Sequence, residues 1–436
     1  MRIAMIGTGY VGLVSGACFA DFGHHVTCVD KDEGKIASLR RGEIPIFEPG
    51  LDALVAANVK ARRLDFTTEL KAPVAEADAV FIAVGTPSRR GDGHADLSYV
   101  YAAAAEIAEA LEGFTVVVTK STVPVGTGDE VERRIREVNP NADVVVASNP
   151  EFLREGAAIR DFKFPDRIVV GTSDERARKV LGDVYRPLSL NQAPVMYTAR
   201  RTAELIKYAA NAFLATKISF INEIADLSEK VGADVQEVAR GIGLDNRIGT
   251  KFLHAGPGFG GSCFPKDLKA LVQTGDRVGY PLQIAGAAEK VNHEQHLRMV
   301  DKIREACGGL KGKTVGVLGL SFKPNTNDMR EAPCLTILPE LMKEGAKVRA
   351  YDPASMEESV KLLPEMIPCH DTYDVAQGAD ALVIATEWNE FRTPDFIKIV
   401  THLKNKAIFD GRNLFDLYAM QELGFHYVSV GRRVVN

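Results

Sequence analysis

Short apolar runs alternate with longer stretches of helical spacing over the first part of the chain. The runs are rich in valine and lie at residues 3–6, 26–29, 79–84, 116–119 and 144–147. Runs of this length are typical of strands that are buried on both faces, as in parallel sheets covered by helices. The pattern therefore predicts an α/β domain built on a parallel sheet.

The pattern changes around Arg201. Apolar residues recur at helical spacing from residue 202 to residue 231, which predicts one long helix, and similar patterns predict helices at 234–242 and 282–306. Alternation resumes at Lys313. The apolar runs of this last section lie at 314–320, 347–351, 381–385, 407–409 and 427–430. The chain thus reads as α/β, then helical, then α/β again.

The two alternating sections share a plan, because each has a glycine-bearing turn after its first strand and an aspartate at the end of its second. We predict an α/β fold of two doubly wound Rossmann-like domains joined by a central helical domain with a long helix. The expected bounds are 1–200 for the first Rossmann-like domain, 201–300 for the helical domain and 301–436 for the second Rossmann-like domain.

Composition narrows the class of protein. The chain has 436 residues, 46% hydrophobic and 25% charged, with a net charge of −5. This balance fits a globular protein and does not indicate nucleic-acid binding, so an anionic ligand would need local positive groups. We recognise no signal peptide and no membrane-spanning run. The six cysteines lack metal-ligand spacing, and we expect a cytoplasmic protein with free thiols, no metal and no membrane partner.

The first turn carries a dinucleotide-binding fingerprint between a predicted strand and a predicted helix. Gly7 would make the tight turn, Gly9 would let the backbone approach a pyrophosphate, and Gly12 would let helix and strand pack closely. The pyrophosphate would lie at the helix N-terminus. Asp30 ends the next strand, where a carboxylate binds ribose hydroxyls and repels a 2′-phosphate, so NAD is favoured over NADP. The alternative is a Rossmann-like domain that binds no dinucleotide.

Two further loops follow predicted strands, at residues 84–87 and 121–124, and contain Thr86 and Thr122. Ligands of doubly wound sheets bind beyond the carboxyl ends of the strands, so both loops are placed to contact cofactor or substrate. Either loop could equally be a simple turn.

The segment 256–267 is the most informative stretch for chemistry. Glycines at 258, 260 and 261 remove side chains close to Cys263, which we interpret as room for a ligand to approach. Lys266 and Asp267 place a cation and a carboxylate nearby, and a cation favours the nucleophilic thiolate. The alternative for a single cysteine is a small buried apolar residue, and we prefer it for the other five cysteines.

Two pairs of polar residues have a spacing of four. Glu151 and Glu155 follow a predicted strand and would share a face if a helix began there, although surface charge is the usual alternative. Lys207 and Asn211 lie on the predicted long helix among apolar neighbours. A cation and an amide on one helix face could hold an oxyanion, whereas a solvated lysine is the commoner case.

Together these motifs resemble those of the UDP-glucose 6-dehydrogenase family. The matching segments are residues 7–12, 84–87, 120–124, 149–156, 204–211, 247–267 and 322–330. They cover nearly the whole chain, and residues 258–263 are highly specific to this family and its GDP-mannose relatives. The resemblance implies two successive NAD-dependent oxidations of the C6 alcohol of UDP-glucose to the acid, giving UDP-glucuronate through a covalent thioester.

The resemblance also implies a role for each matching residue. Cys263 resembles the nucleophile, which would form a thiohemiacetal and then a thioester. The other implied catalytic residues are Lys207 and Asn211 for the oxyanion, Asp267 with Thr122 for water, and Glu151 for acid–base transfer. The cofactor contacts suggested by fingerprint and resemblance are Gly7, Gly9, Tyr10, Val11, Gly12, Asp30, Lys35, Thr86, Thr122, Glu155, Lys266 and Arg330.

The implied contacts to UDP-glucose are more numerous. They are Glu151, Phe152, Leu153, Glu155, Lys207, Asn211, Arg247, Phe252, Leu253, His254, Ala255, Gly256, Gly260, Lys323 and Arg412. Arg247 resembles an arginine that reaches the site of a neighbouring subunit, which implies a homo-oligomer, a homodimer at least, with the long helix in its interface. His254 departs from the lysine of some members, so we give it no role based on charge.

Three alternatives remain open at this point. A GDP-mannose or UDP-N-acetyl-sugar dehydrogenase would use the same chemistry, although the N-acetyl branches usually have histidine where Ser262 stands. A non-catalytic NAD-binding regulator would need neither Cys263 nor Lys207. A one-step 3-hydroxyacid dehydrogenase would need no thiol.

Overall fold

The computed structural model describes residues 1–87, 89 and 94–436. It contains two compact units, an N-terminal unit at Met1–Ala210 and a C-terminal unit at Asn211–Asn436. Each unit contains one sheet, and the segment between the sheets is helical. The predicted fold class is confirmed: two Rossmann-like α/β domains and a central helical region with one long helix. The exact bounds of the three predicted domains stay a prediction.

The N-terminal unit contains an eight-stranded sheet in the order β3-β2-β1-β4-β5-β6-β7-β8. Its strands are β1 (Arg2–Ile6), β2 (His25–Val29), β3 (Leu64–Thr67), β4 (Ala79–Ile82), β5 (Thr115–Thr119), β6 (Val144–Ser148), β7 (Ile168–Gly171) and β8 (Val195–Thr198). All neighbours are parallel except β6 and β7. The first six strands have the order of a doubly wound dinucleotide-binding sheet.

Helices cover both faces of this sheet, and two separate apolar layers fill the space between. The helices are α1 (Tyr10–Asp21), α2 (Glu33–Arg40), α3 (Leu51–Lys60), α4 (Lys71–Ala75), α5 (Ser98–Ala110), α6 (Thr127–Val138), α7 (Ala158–Lys163) and α8 (Glu175–Tyr185), with a 3₁₀ helix at Arg186–Asn191. The central strands β4 and β5 are buried along their whole length, because helices cover both of their faces, whereas the edge strand β8 is largely exposed.

The long helix α9 (Arg200–Val231) contains 32 residues and agrees with the predicted helix within two residues at its start. The helices after it are α10 (Val235–Gly243), α11 (Phe264–Arg277) and α12 (Gln283–Cys307). Helix α11 is missing from the sequence-based prediction, because the glycine-rich segment before it reads as a loop. Among the described residues, no helix is long and apolar enough to cross a bilayer.

The C-terminal unit contains a six-stranded parallel sheet in the order β11-β10-β9-β12-β13-β14. Its strands are β9 (Thr314–Leu318), β10 (Lys347–Tyr351), β11 (Ile367–Pro368), β12 (Ala381–Ile384), β13 (Ala407–Asp410) and β14 (His426–Ser429). Its helices are α13 (Cys334–Lys343), α14 (Met356–Leu362), α15 (Thr372–Ala376), α16 (Phe396–His402) and α17 (Leu417–Glu422), with a 3₁₀ helix at Asn389–Phe391. The order reverses between β9 and β12, where doubly wound sheets bind ligands.

Candidate active site

The glycine loop between β1 and α1 has the geometry that the fingerprint requires. Gly7 has a φ of 103°, and a Cβ there would lie 2.7 Å from the carbonyl oxygen of Ala83. A Cβ on Gly12 would lie 2.0 Å from the carbonyl oxygen of Gly7, so only glycine permits this packing. Around Gly9, no described atom lies within 4 Å of such a Cβ. A ligand can therefore approach the backbone at Gly9.

Helix α1 begins at this loop without a side-chain cap and without an acidic residue in its first turn. Its first N–H groups can therefore bind an anion. Asp30, after β2, accepts the N–H and hydroxyl of Thr8 on Oδ2 at 2.9 and 2.7 Å, and the N–H of Asp32 on Oδ1 at 3.1 Å. Burial opposes ionisation, but these hydrogen bonds and the exposed Lys35 lower the pKa of Asp30. Its Oδ1 retains an acceptor site for a ribose hydroxyl.

The equivalent aspartate of the C-terminal sheet is used differently. Asp352 follows β10, as Asp30 follows β2, and is 1% exposed. Its carboxylate accepts hydrogen bonds from the N–H groups of Leu320, Ser321, Ala354 and Ser355, the hydroxyl of Ser321 and the indole N–H of Trp388. These donors already exceed the roughly four lone pairs of a carboxylate. Asp352 therefore stabilises its own domain and has no acceptor site for a ribose.

The loops at 84–87 and 121–124 contact each other at the carboxyl edge of the N-terminal sheet. The hydroxyl of Thr86 donates to the carbonyl of Thr122 at 3.0 Å, and that of Ser121 donates to the carbonyl of Val84 at 2.7 Å. The loops follow β4 and β5, which are neighbours in the sheet, and β4 pairs with β1. The topology therefore brings both threonines to the edge that carries the glycine loop.

Residues 151–156 form a loop, and the prediction that Glu151 and Glu155 share the start of a helix is wrong. Helix α7 begins only at Ala158. Gly156 has a φ of 79°, in the left-handed region, which interrupts a right-handed helix. The Glu151 carboxylate accepts the N–H of Leu153, a local bond that holds the loop in place.

Lys207 and Glu151 form a buried ion pair. Nζ of Lys207 lies 3.3 Å from Oε1 of Glu151, and the two side chains are 4% and 5% exposed. The same ammonium lies 5.3 Å from the centre of the Phe152 ring. Removing one member of a buried pair leaves an uncompensated charge, so the two hold each other in place. The structure thus gives a fixed, buried cation next to a carboxylate; the apolar neighbours of Lys207 indicated its burial but not its partner.

Glu204 is a buried residue whose role sequence reasoning missed. Its carboxylate accepts the N–H groups of Gly126 and Gly128 at 2.6 and 2.7 Å and the hydroxyl of Ser148 at 3.1 Å. Burial raises the pKa of the Glu204 carboxyl, although these hydrogen bonds oppose the shift. A small cavity beside it is lined by Thr119, Ser121, Thr122, Val123, Ser148, Pro150, Glu204 and Lys207. Predicted catalytic residues Thr122 and Lys207 therefore line one cavity of the N-terminal unit.

Lys120 is a second buried polar residue to which the sequence assigns no role. Its Nζ donates to Oδ1 of Asn149 at 3.1 Å and to the hydroxyl of Tyr185 at 3.2 Å, and both partners are neutral. In the described part of the chain, no carboxylate lies within ion-pair distance of it. Burial lowers the pKa of Lys120 to about 8, and the charge of Lys207 adds to this effect while that of Glu151 opposes it. A lysine directly after a strand gives no sequence signal of such burial.

Lys120 is expected to make stability depend on pH. Its pKa is about 8 in the folded protein, against about 10.4 in an unfolded chain. Between these values the unfolded chain binds a proton that the folded protein has released, so the free energy of unfolding rises with pH. We expect this gain to be about 2.5 kcal/mol between pH 8 and pH 10.5 and to be absent in Lys120→Met. Urea unfolding at both pH values measures it.

The exposed Lys60→Met provides the control for this measurement, because its unfolding free energy should follow that of the unchanged protein across the same pH range. The interpretation of Lys120 as a buried, destabilising cation fails if Lys120→Met and Lys60→Met show the same dependence on pH.

In the C-terminal unit, Cys263 differs from the other cysteines in its exposure. It is partly exposed, whereas the other five are buried. Burial raises the thiol pKa to about 11 or about 12 in Cys18, Cys28, Cys307, Cys334 and Cys369. Thiols with raised pKa values form little thiolate and are poor nucleophiles. Cys263 is also the N-cap residue of α11, where the helix dipole stabilises negative charge.

The glycines before Cys263 leave room for the protein's own atoms, so our interpretation of these three positions as ligand space is wrong. A Cβ on Gly258, Gly260 or Gly261 would lie 2.6 Å from Oδ1 of Asn292, 2.3 Å from the carbonyl oxygen of Glu331 or 2.7 Å from the Phe322 ring, respectively. Because distances this short exclude a side chain, the glycines let the segment pack tightly against its own domain.

Side-chain amides hold the same segment by its backbone. Asn222 accepts the N–H of Gly256 at 2.9 Å, and Gln295 donates to its carbonyl at 2.8 Å. Asn292 accepts the N–H of Phe259 at 2.7 Å and donates to its carbonyl at 3.0 Å. The loop that leads to Cys263 is thus held at Gly256 and at Phe259 by side chains of helices α9 and α12.

Asp267 connects two other predicted catalytic residues. It is 1% exposed, and it accepts hydrogen bonds from Nδ2 of Asn211 at 2.6 Å and from Nζ of Lys266 at 2.7 Å. Its N–H donates to the carbonyl of Cys263 at 2.8 Å, in the first turn of α11. The structure therefore brings Cys263, Asp267, Lys266 and Asn211 together within the C-terminal unit.

The predicted substrate residues at the carboxyl edge of the C-terminal sheet also lie together. Arg412 donates from Nε to the carbonyl of Ala385 at 2.8 Å and from Nη2 to that of Phe322 at 3.2 Å. Its Nη1 lies 3.6 Å from a Cβ built on Gly256. Lys323 is the residue after Phe322, and its Nζ lies 5.2 Å from the centre of the Phe322 ring. Two positive side chains thus border the segment that contains Cys263.

Among the other predicted contacts, Phe252 lies near Cys263, because its ring centre is 6.0 Å from that of Phe264, whereas Arg247 and His254 make no such contact in the C-terminal unit. Arg247 has a side chain that is 89% exposed and pairs with Asp245, and His254 is exposed. Between residues 211 and 436, no hydrogen bond or ion pair joins either side chain to the group around Cys263. Phe252 has a φ of 65°, which directs the chain sharply before the buried Leu253.

Comparison with known proteins gives matches along the chain. Three domain models of the UDP-glucose/GDP-mannose dehydrogenase family match this chain. The model of the NAD binding domain matches residues 1–189, that of the central domain matches residues 201–294, and that of the UDP binding domain matches residues 316–417. The UDP-glucose 6-dehydrogenase of Rhizobium meliloti (strain 1021) is 63% identical over 99% of this chain and all of its own length.

Two further relatives are similar over nearly their full length. UDP-glucose 6-dehydrogenase TuaD of Bacillus subtilis (strain 168) is 50% identical over this whole chain and 94% of its own. The solved structure of a UDP-glucose dehydrogenase from Pyrobaculum islandicum has a TM-score of 0.92 and 40% identity, covering 99% of this chain and 98% of its own.

Proposed function

We propose, since the chain belongs to the UDP-glucose/GDP-mannose dehydrogenase family and contains its NAD-binding domain, that it oxidises UDP-glucose to UDP-glucuronate. The reaction takes place in two NAD-dependent oxidations at C6, with a covalent intermediate on Cys263. The observation that carries this proposal is the state of the cysteines: of six, only Cys263 is accessible, and it stands at a helix N-terminus beside a buried carboxylate.

The residues of the glycine loop fit NAD. The open backbone at Gly9 and the uncapped start of α1 suit a diphosphate, and Asp30 retains an acceptor site for a ribose hydroxyl. NAD supplies the hydride acceptor of both oxidations when it is bound. Thr86, Thr122, Glu155, Lys266 and Arg330 are the further proposed contacts.

Cys263 binds the product of the first oxidation covalently before the second oxidation takes place. Its sulfur adds to the C6 aldehyde that the first oxidation produces, and the thiol proton passes to the aldehyde oxygen, which gives a thiohemiacetal. Loss of a hydride and a proton in the second oxidation converts this group to a thioester. Covalent attachment keeps the aldehyde from being released before the second oxidation.

The oxygen at C6 carries negative charge during these steps. Lys207 is a buried cation whose position is fixed by Glu151, and Asn211 is a buried amide whose position is fixed by Asp267. Groups that are already oriented stabilise a developing oxyanion without reorganisation. We assign Lys207 and Asn211 to this role.

Hydrolysis of the thioester requires a water and groups that accept and return its protons. Asp267 and Thr122 are the proposed residues that position the water, and Glu151 is the proposed acid–base residue. Attack of water on the thioester carbon breaks the carbon–sulfur bond, releases the carboxylate and returns the proton to the Cys263 sulfur. The enzyme is then ready for another turnover.

The proposed sugar preference rests on the similarity to UDP-glucose 6-dehydrogenases, of which the Rhizobium meliloti protein is 63% identical. Lys323 and Arg412 are the proposed contacts for the negatively charged nucleotide, because they place two cations at the edge of the C-terminal sheet.

A panel of nucleotide sugars tests the proposal. We expect kcat/KM for UDP-glucose to exceed that for GDP-mannose and UDP-N-acetylglucosamine more than ten-fold, with two NADH formed per sugar consumed. NADH absorbance with quantified product measures both. A ten-fold preference for another sugar would refute the substrate, and one NADH per sugar would refute the two-step chemistry.

We further propose a homodimer with α9 in its interface. Phe213, Phe220 and Leu227 lie seven or fourteen residues apart on this helix and are 67%, 48% and 53% exposed. Residues spaced by seven lie on one helix face, and large exposed apolar faces are typical of interfaces. Arg247, also exposed, is then available to a neighbouring subunit. Sedimentation equilibrium measures the mass, and a monomer at micromolar concentration would contradict the proposal.

We also propose a cytoplasmic location. All six thiols are free in the structure, as expected in a reducing compartment. Fractionation of cells that produce the protein tests this location.

A further inference from the structure

Glu48 is a buried carboxylate in the loop between α2 and α3, and the reaction proposed above does not use it. The residue is 7% exposed. Its Oε2 accepts the N–H of Gly156 at 2.7 Å and the hydroxyl of Tyr10, and its Oε1 accepts the N–H of Ala158 at 2.8 Å. Hydrogen bonds to an ionised acceptor are roughly twice as strong as neutral ones.

The three donors belong to two segments that are far apart in the sequence. Tyr10 is the first residue of α1 and directly follows the glycine loop. Gly156 and Ala158 connect the loop at 151–156 to α7, which has no side-chain cap of its own. The N–H of Gly156 also lies 3.2 Å from the hydroxyl oxygen of Tyr10. Glu48 therefore ties the loop that contains Glu151 to the start of the dinucleotide-binding helix.

We propose that Glu48 is a positioning residue that holds the loop at 151–156 against the glycine loop, and thereby sets the geometry of NAD binding. The inference rests on the proposed function, because the two segments are the ones assigned to NAD and to acid–base transfer. Glu48 acts through Gly156, Ala158 and Tyr10 and needs no contact with the ligands.

The arrangement requires two carboxylate oxygens. A glutamine at position 48 offers one oxygen and one NH₂ group, so either Gly156 or Ala158 would have its N–H facing another donor. The hydroxyl of Tyr10 could reverse its direction, but a backbone N–H cannot. Burial, together with the hydrogen bond and charge of Glu48, raises the pKa of Tyr10, so that its hydroxyl keeps its proton and remains a donor.

A positioning role of Glu48 and a purely electrostatic effect of its charge predict opposite changes in NAD affinity when the residue is replaced. A carboxylate close to the start of α1 repels a diphosphate, so removal of its charge alone would strengthen NAD binding. Loss of a positioning contact weakens it instead. The direction of the change in Kd therefore distinguishes the two causes.

The experiment compares Glu48→Gln, Tyr10→Phe and the control Glu43→Gln in the full chain. Glu43 is an exposed carboxylate of the same loop, paired with Arg41. Isothermal calorimetry with NAD alone gives Kd, hydrogen exchange of residues 154–160 reports the loop, and steady-state assays give kcat. For Glu48→Gln we expect at least a ten-fold rise in Kd, at least ten-fold faster exchange at whichever of Gly156 and Ala158 faces the new NH₂ group, and at least a ten-fold loss in kcat.

For Tyr10→Phe we expect a two- to three-fold rise in Kd and faster exchange at Gly156 alone, because both backbone bonds to Glu48 remain. Glu43→Gln should stay within two-fold of the unchanged protein in every measurement. A folded Glu48→Gln that binds NAD as tightly as the unchanged protein, or more tightly, overturns the inference. This holds even if its melting temperature falls, since the role would then be merely structural.

If Glu48→Gln does not fold, the test relies on Tyr10→Phe. The inference is overturned if this variant has the same Kd for NAD and the same exchange rate at Gly156 as the unchanged protein. Failure of the proposed function gives a different result, because the unchanged protein would then form no acid from UDP-glucose while still giving a heat of NAD binding. The exchange comparison would still test the connection made by Glu48.

Discussion

Cys263→Ser is expected to lower the rate of acid formation by at least about a thousand-fold, the order by which loss of an activated nucleophile slows covalent catalysis. Serine is nearly the same size, but its hydroxyl ionises far less readily than a thiol and is a poorer leaving group in hydrolysis. Because Cys263 precedes α11 and its carbonyl accepts the Asp267 N–H, the backbone geometry should survive the change. UDP-glucose binding by calorimetry should therefore stay within about three-fold, a change of less than 1 kcal/mol.

Cys369→Ser is the matched control for this variant. The Cys369 thiol is buried and donates to the carbonyl of Ile367, a bond that a hydroxyl can also make. Its turnover should remain within two-fold of the unchanged protein. With the unchanged enzyme, mass spectrometry after rapid quenching should find the acyl adduct on the peptide with Cys263. If Cys263→Ser forms the acid at a normal rate, the covalent mechanism is refuted.

Lys207→Met is expected to lower kcat by about a hundred- to a thousand-fold, the range seen when one oxyanion-stabilising group is removed. Methionine has a similar length and can fill the buried site, so the change removes the charge more than the volume. It also leaves Glu151 buried without its partner at 3.3 Å, which costs stability as well. Steady-state kinetics and urea unfolding measure the two effects separately.

Lys230→Met is the control, because Lys230 lies on the same helix and is exposed. The double variant Lys207→Met/Glu151→Gln separates catalysis from stability. Removing both charges should recover part of the lost free energy of unfolding while turnover stays low. Should Lys207→Met keep kcat within ten-fold of the unchanged protein while folded, another group must stabilise the oxyanion.

The fold class was accessible from the sequence because strands buried on both faces must be apolar along their whole length. The three strands of the N-terminal sheet that the prediction missed do not all have this pattern. In β3, Asp65 interrupts the apolar run, and β8 lies at the sheet edge with Val195, Met196 and Tyr197 exposed. β7 is buried and apolar, and the prediction missed it although it recognised strands of the same length, such as β4.

Local chemistry outside the strands was predicted less well. A spacing of four suggested a helix at Glu151 and Glu155, but the left-handed Gly156 and the bond from Leu153 to Glu151 keep this segment in a loop. Three glycines before Cys263 suggested ligand space, but they pack against Asn292, Phe322 and Glu331, which lie far along the chain. Neither outcome follows from nearest neighbours in the sequence.

By itself, the sequence determined the alternation of strands and helices, the glycine loop with Asp30, and Cys263 as the candidate nucleophile, since hydrophobic periodicity and glycine spacing are local properties of a chain. Only the tertiary structure decided which charges are buried and with whom they pair: Lys207 with Glu151, Lys120 with neutral partners, Glu48 with Tyr10 and the loop at 151–156. The physical reason is that the energy of a charge depends on its surroundings, and segments far apart in sequence supply them.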